Sequence, residues 1–456
     1  MTTKLGTKHF REGLLRYSGN LSGRASLSLT AGYREDEGSP GVNDYRRIPK
    51  ITGRVKYRLP PRSVVHFFAG ANDSEIGLDT SRYTSTTDAH VRSNYQMIKW
   101  EHAITGSSDF HVQVDRTYAE LHTSDRRPLA ELGQYNLELQ HSFSLGTKQK
   151  VIWGATYRYS HLDCNYLDPK KDNINIVGLF VQDAIRIAAN CTLFAGIKFE
   201  DNSFTKHAFS PRISLLYEPL HGHHFRLSLA RAYRNPTFVE NSMQTFIRFM
   251  DIPVLLQTGN EHLDSERMTA LELGYRTTLF NRLDVSIELY YNEHDRSIEL
   301  TDPVLALPPT MKYKNKFDAV SKGMEVSLTL PLTPWWTCTG NYTYQDCDRR
   351  KKPRGIQGTP LHKINLGSRL SFNNGFSLDV RLHFVDETRW YFYRNIKADD
   401  YLRLDVRIAR TLFNDRLELA LVCQNLTDTR HPEYSDGVRM YEADRLIYGQ
   451  ISVRFP

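Results

Sequence analysis

The densest group of side chains able to do chemistry is Arg349, Arg350, Lys351, Lys352 and Arg354, packed into one long polar connection. Such a cluster holds a positive potential that attracts an anionic ligand or surface phosphates, and plain solvation explains it equally well. His221, His223 and His224 crowd a short turn, where a solvated loop is a simpler reading than a metal site. Cys164, Cys191, Cys338, Cys347 and Cys423 lack the paired spacing of a zinc or redox site. Cys338 and Cys347 could pair only if they bracketed the end of a hairpin, and Cys423 continues the apolar series Leu417, Leu419, Leu421. Paired carboxylates, a nucleophile motif and a phosphate-binding glycine loop are not evident, so the chain reads as no enzyme and calls for no cofactor.

The elements that would position these groups centre on the stretch from Arg231 to Tyr275. One alternating segment ends in Arg231-Ala232-Tyr233-Arg234-Asn235-Pro236-Thr237-Phe238-Val239-Glu240. A second opens after Gly259-Asn260-Glu261-His262-Leu263-Asp264-Ser265-Glu266. Pro236 stops ladder pairing and Gly259-Asn260 signals a turn, so a strand leaves into a long loop and returns as a strand.

The 456 residues, 24% charged, with a mean hydropathy of -0.50, look at first like a soluble protein of two or three domains. No run of about 18 apolar residues occurs, which excludes transmembrane helices but not a barrel, whose strands expose only alternate residues to lipid. The net charge of +7 is spread along the chain without a basic arm, giving no sign of nucleic-acid binding.

Short connections near 21, 61, 105, 146, 189, 220, 281, 333, 373 and 414 alternate with mostly longer ones. A sandwich has no reason to gather long loops at one end, whereas an outer-membrane barrel has short periplasmic turns and long extracellular loops. The strands agree. Leu402, Leu404, Val406 and Ile408 alternate with Arg403, Asp405 and Arg407; Phe376 to Phe384 and Leu283 to Tyr291 split the same way. Persistence of this pattern without intervening helices leaves the bilayer itself to cover the apolar face. Aromatic residues near turns, such as Tyr217, Trp335 and Trp336, suit interfacial girdles or ordinary packing.

The segments around Arg231 and Gly259 resemble the boxes that flank a large extracellular loop in TonB-dependent outer-membrane receptors. Val177 to Asp183 with Leu193 to Asp201, Phe209 to Pro219, Asn315 with Gly323 to Val326, Thr359-Pro360, and Val422 to Asp428 extend the likeness in order. At the end of the chain, Gly449, Ile451, Val453 and Phe455 resemble the C-terminal insertion signal of outer-membrane barrels, with Pro456 as a small departure.

The resemblance implies an all-β fold: an antiparallel transmembrane β-barrel of the 22-strand receptor type. About 21 strands are visible to pattern reading, with the first strand and the plug expected to be absent. Residues 1–11 are then a remnant of the first extracellular loop or a disordered N-terminus, and residues 12–456 the barrel. No secretory signal is seen at Met1 to Lys8. The implied function is active uptake of a metal chelate, whether iron siderophore, cobalamin or haem, in the outer membrane of a Gram-negative bacterium. A truncated form is expected not to transport alone. The alternative is a plugless, porin-like diffusion channel, and a third reading is an adhesin or structural barrel.

The implied ligand contacts are Arg234, Phe238, Glu240 and Asn260 in the boxes and Arg349, Arg350 and Arg354 in the basic loop. Asn241 to Thr258 contains no histidine, unlike the corresponding loop of haem receptors, which disfavours haem. Expected partners are the chelate, outer-membrane lipid and lipopolysaccharide, the barrel-assembly machinery, and the TonB complex if a plug and TonB box are restored. The barrel is expected to be a monomer.

Overall fold

The computed structural model describes residues 1–38, 43–77, 88–123, 128–168, 172–249, 252–301, 303–304, 306–349, 359–391, 395–435 and 440–455. Among these, 22 antiparallel strands follow one another around a closed barrel, each paired with its sequence neighbours. Three hairpins stand outside the wall: Gln244–Phe249 with Ile252–Thr258, Thr388–Tyr391 with Asn395–Ala398, and His431–Ser435 with Met440–Ala443.

The first strand is present, which corrects the expectation that it is missing. Thr2–Gly6 pairs on one side with Leu446–Val453, as in Thr3 opposite Ile451, and on the other with Arg11–Asn20, as in Thr3 opposite Gly13. Five residues with one large apolar side chain are too few to show a period of two, so pattern reading passed over them. Closure supplies what the pattern lacks. Without this strand, two rows of backbone donors and acceptors would face hydrocarbon, each unsatisfied group costing several kcal/mol. The turn that follows takes Lys8 and His9 through positive φ and returns Gly6 N to Phe10 O at 2.8 Å.

Side-chain alternation sorts the wall into two faces. Leu29, Ile51, Phe67, Leu179, Ile213, Leu227, Leu273, Leu366, Leu421 and Ile451 are all exposed on the outside, where lipid takes the place of a protein core. The inside carries ion pairs: Arg226 with Glu272 and Glu288, each at 2.9 Å, Arg403 with Asp405 at 2.8 Å, and Arg407 with Glu418 at 2.7 Å. At the end with the short turns, Trp335 stacks on Trp336 and Phe372, and Phe225 lies 4.7 Å from Tyr275, forming an aromatic border.

At the opposite end the ladders run further than alternation indicates. The strand Ala25–Asp36 continues to pair with Arg46–Leu59 as far as Asp36 opposite Arg46, where the sequence is polar on both faces, and Thr310–Thr333 spans 24 residues. Above the lipid both faces are wet, so the apolar period disappears while backbone pairing goes on. Cross-strand charges help: Arg47 meets Glu35 at 3.2 Å and Glu75 at 3.1 Å. Cys338 and Cys347 lie on the single strand Trp336–Arg349, roughly 30 Å apart at about 3.3 Å per residue, and cannot pair. Cys423 faces outward beside Val406, as its series suggests.

Candidate functional site: the clamped loop at the barrel mouth

The strand His223–Arg234 ends where Asn235-Pro236 removes a ladder donor, and a short helix, Phe238–Ser242, begins at once. Thr237 and Glu240 form a reciprocal capping box. Glu240 N donates to Thr237 Oγ1 at 3.2 Å, and Thr237 N donates to Glu240 Oε2 at 2.8 Å. The hairpin follows, and Gly259 brings the chain back against the helix, its N donating to Met243 O at 2.7 Å. A Cβ at Gly259 would lie 2.5 Å from the backbone of Asn241 and Ser242, so only glycine fits.

Arg234 ties the two ends of this loop together. Its Nε and Nη2 donate to Glu266 at 2.6 Å each, and its Nη1 and Nη2 donate to Glu240 at 2.9 Å each. Both carboxylates are largely covered while the guanidinium is half exposed. On the outer face the same level is already charged, with Arg267 paired to Asp295 at 2.7 Å, so this clamp sits beyond the lipid band. Burial pushes the Glu266 carboxyl up, but the Arg234 fork and the Ile298 amide, which donates at 2.7 Å, outweigh it and hold the group below the usual carboxylate range. The two carboxylates beside it raise Arg234 above its ordinary value.

Asparagines complete the frame. Asn235 donates to Glu200 at 2.8 Å and accepts from Thr205 and Ser265. Asn260 Nδ2 donates to Tyr313 O at 2.9 Å, and its N donates to Glu240 O at 2.8 Å. Asn315 spans Asp264 O and Arg296 O with Nδ2. Phe238 packs edge-on against Phe204. The hairpin then joins its neighbours on both sides: Leu256 to Thr258 run parallel to Thr310 to Lys312, while Ser242 O accepts from Asp168 N at 3.0 Å. The loop therefore leans along the rim from the Cys164 connection to the start of the long strand.

The structure thus brings together Arg234, Phe238, Glu240 and Asn260. Arg349 ends the strand Trp336–Arg349, and Arg350 and Arg354 lie outside the described residues. Glu200 and Glu266 were not singled out in the sequence, although each stands within a quoted segment, and Asn315 was quoted there for the family resemblance but not as a site residue. A further cavity at the mouth, about 250 Å³, is lined by Lys8, Arg34, Arg46 and Arg403 with Asp36, Glu442 and Asp444. Two of its neighbours are anchored tightly: His431, fully buried, stacks on Tyr401 at 3.9 Å, and Asn425 N donates to Asp405 at 2.8 Å. Among the described residues, no three His, Cys, Asp or Glu side chains gather as a metal site. His221 and His224 approach Glu218, and His223 bonds the Tyr275 hydroxyl at 2.9 Å.

The model of the TonB dependent receptor-like β-barrel matches residues 12–426. The chain belongs to this family. The receptor barrel is 22% identical, over 84% of its length, to the ferric enterobactin receptor of Pseudomonas aeruginosa, and 23% identical, over 69%, to the ferric enterobactin receptor PirA of the same organism. It spans 58% and 45% of those two proteins. Among solved structures it superposes over its full length on the siderophore receptor PirA of Acinetobacter baumannii, with a TM-score of 0.83 at 14% identity, and on PirA of Pseudomonas aeruginosa, with 0.79 at 17%. It covers 79% and 80% of those chains. These likenesses establish the fold; the receptor barrel is an outer-membrane protein.

Proposed function

We propose that the barrel serves TonB-dependent uptake of a metal chelate, with an iron siderophore first among the candidates and cobalamin and haem after it. What supports this reading most is the family match across residues 12–426 in a chain whose largest loop is built as a defined, clamped unit rather than an open tether. Two relatives carry the name ferric enterobactin receptor, which favours a ferric catecholate here. The lack of histidine between Asn241 and Thr258 continues to weigh against haem.

In this reading the clamp holds the loop in a fixed pose, Phe238 and Asn260 among it, and Arg349, Arg350 and Arg354 supply the positive potential that draws in an anionic complex. Energy comes from the TonB complex acting through a plug, while lipopolysaccharide surrounds the outer wall and the barrel-assembly machinery inserts it.

The test is uptake of radiolabelled iron supplied as a ferric catecholate, in the native host, with the gene or the TonB gene deleted. Loss of uptake on either deletion is expected. Uptake indifferent to both, with slower entry of small neutral solutes when the gene is deleted, overturns the reading in favour of a diffusion channel.

A further inference from the structure

One arginine on the lipid side of the wall has no counter-charge. On the strand Ser108–Thr123, Val112 and Val114 share the outer face with Arg116, Tyr118 and Glu120, because alternate residues project the same way. Val114 and its cross-strand partner Ile98 are each 53% exposed, and Leu137 continues the row on the next strand, so these three lie in the apolar band. Arg116 is the next outward position toward the mouth, opposite Gln96 on one side and Tyr135 on the other.

Its guanidinium is drawn upward, toward the extracellular end. Nη1 donates to Asn94 Oδ1 at 3.1 Å and to Gln96 Oε1 at 3.3 Å, Nε donates to the Tyr135 hydroxyl at 3.4 Å, and the Tyr118 ring lies 5.0 Å away. All four partners are neutral. Tyr135 is followed by Tyr159, ring centroids 6.3 Å apart, and tyrosines gathered in this way mark the upper membrane interface.

Among the described residues Arg116 forms no ion pair, whereas other outward cations near this edge are neutralised. Arg47 meets Glu35 and Glu75, Arg92 meets Asp73 at 3.2 Å, Arg267 meets Asp295, and Lys322 meets Asp346 at 3.4 Å. Glu120, higher on the same strand, accepts from Tyr118 at 2.5 Å and lies 3.1 Å from His122. Arg231 is another outward arginine without a carboxylate, but its cross-strand partner is Thr269 and no amide pair surrounds it. The nest of Asn94, Gln96, Tyr118 and Tyr135 fixes the Arg116 plane and leaves its charge to an external anion, for which a guanidinium fork suits phosphate.

Immediately above, the outer wall is hollowed. A cavity of about 480 Å³ is lined by Tyr33, Arg47, Asp73, Glu75, His90 and Arg92. Each shares the outer face of its strand: Tyr33 with Leu29, Arg47 with Ile51, Asp73 and Glu75 with Phe67, and His90 and Arg92 with Ile98. The cavity therefore lies outside the barrel, on the extracellular side of the lipid band. Arg92 is one outward position beyond Asn94, about 6.8 Å along the strand, so cavity and nest adjoin. Donors and acceptors alternate around it beside a tyrosine ring, which suits a hydroxyl-rich sugar.

We propose that this stretch of outer wall binds the phosphorylated glycolipid of the outer leaflet, lipopolysaccharide. Acyl chains lie on Ile98, Val114 and Leu137, a phosphate meets Arg116, and sugars enter the cavity above. A phospholipid satisfies the lower two tiers and leaves the third empty. The site is outside the lumen and rests on the barrel's place in the outer membrane, independently of the uptake reading.

The probe is deep-rough lipopolysaccharide, titrated against the refolded chain in detergent and followed by native mass spectrometry. Removing its phosphates with phosphatase should weaken binding about tenfold, and Arg116→Gln should weaken binding of the intact glycolipid by a similar factor. Arg231→Gln should leave the affinity unchanged, and phosphatidylglycerol should bind more weakly than lipopolysaccharide. Equal affinity in Arg116→Gln and wild type, an equal loss in Arg231→Gln, or phosphatidylglycerol bound as tightly as lipopolysaccharide overturns the site. If Arg116→Gln lacks the compact gel migration of a folded barrel, the phosphatase comparison on the wild-type chain decides, and equal affinity for both forms overturns the site.

Discussion

Arg234 holds Glu266 in a two-point fork, with Nε and Nη2 each 2.6 Å from a carboxylate oxygen, while Glu240 occupies the remaining side of the same guanidinium. One residue ends the strand entering the loop, another starts the strand leaving it, and the third belongs to the helix between them. A single planar cation thus fixes the spacing of three elements, which the point charge of a lysine does not reproduce.

Arg234→Ala should loosen the loop without unfolding the barrel. It leaves two partly covered carboxylates facing each other, and charge-assisted hydrogen bonds of this kind contribute about 1.5–3 kcal/mol each, at the lower end here because the guanidinium is half exposed. Limited proteolysis of the Gln244 to Thr258 hairpin should become at least about tenfold faster, while the melting of the barrel hardly moves. Unchanged cleavage would show that the hairpin's other contacts suffice.

The same clamp should respond to acid. Because the folded Glu266 carboxyl sits below its unfolded value, its contribution is fully present above the ordinary carboxylate range and is lost as pH falls through the depressed value. Hairpin protection should therefore hold from neutral pH down to the ordinary glutamate range and fail only below it. Protection that fails instead on raising the pH from neutral would contradict this linkage.

Deleting residues 1–6 should abolish closure. The strands Arg11–Asn20 and Leu446–Val453 would each lose their partner along the seam. The compact, heat-modifiable gel migration of a folded barrel should disappear in lipid refolding. If the shortened chain migrates and melts like the parent, those two strands pair directly and the first strand is dispensable.

Facing can be tested on neighbouring residues. Leu404→Arg places a charge on the lipid side of the strand Tyr401–Leu412 and should cost about 2–4 kcal/mol near the midplane. Arg403→Gln, on the lumen side, should cost clearly less, since water and the Asn425 amide still serve Asp405. Equal losses in a denaturant titration in lipid would reverse the assignment of faces.

The period of two in segments such as Leu402 to Ile408, the alternation of short and long connections, and the boxes around Arg234 and Gly259 determined the barrel class and its family from the sequence alone. That was possible because lipid imposes a local rule: each outward residue must be apolar whatever its distant neighbours are. Long-range pairing has no such local mark. Thr2–Gly6 closes the ring through partners more than four hundred residues away as well as through its near neighbour Arg11–Asn20, and the wet ends of Ala25–Asp36 and Thr310–Thr333 kept their ladders where side-chain alternation had stopped. The tertiary structure alone decided that Arg234 faces both Glu240 and Glu266 and that Asn235 reaches Glu200. Each of these relations depends on register and closure around the whole ring, which residue type and spacing along the chain do not encode.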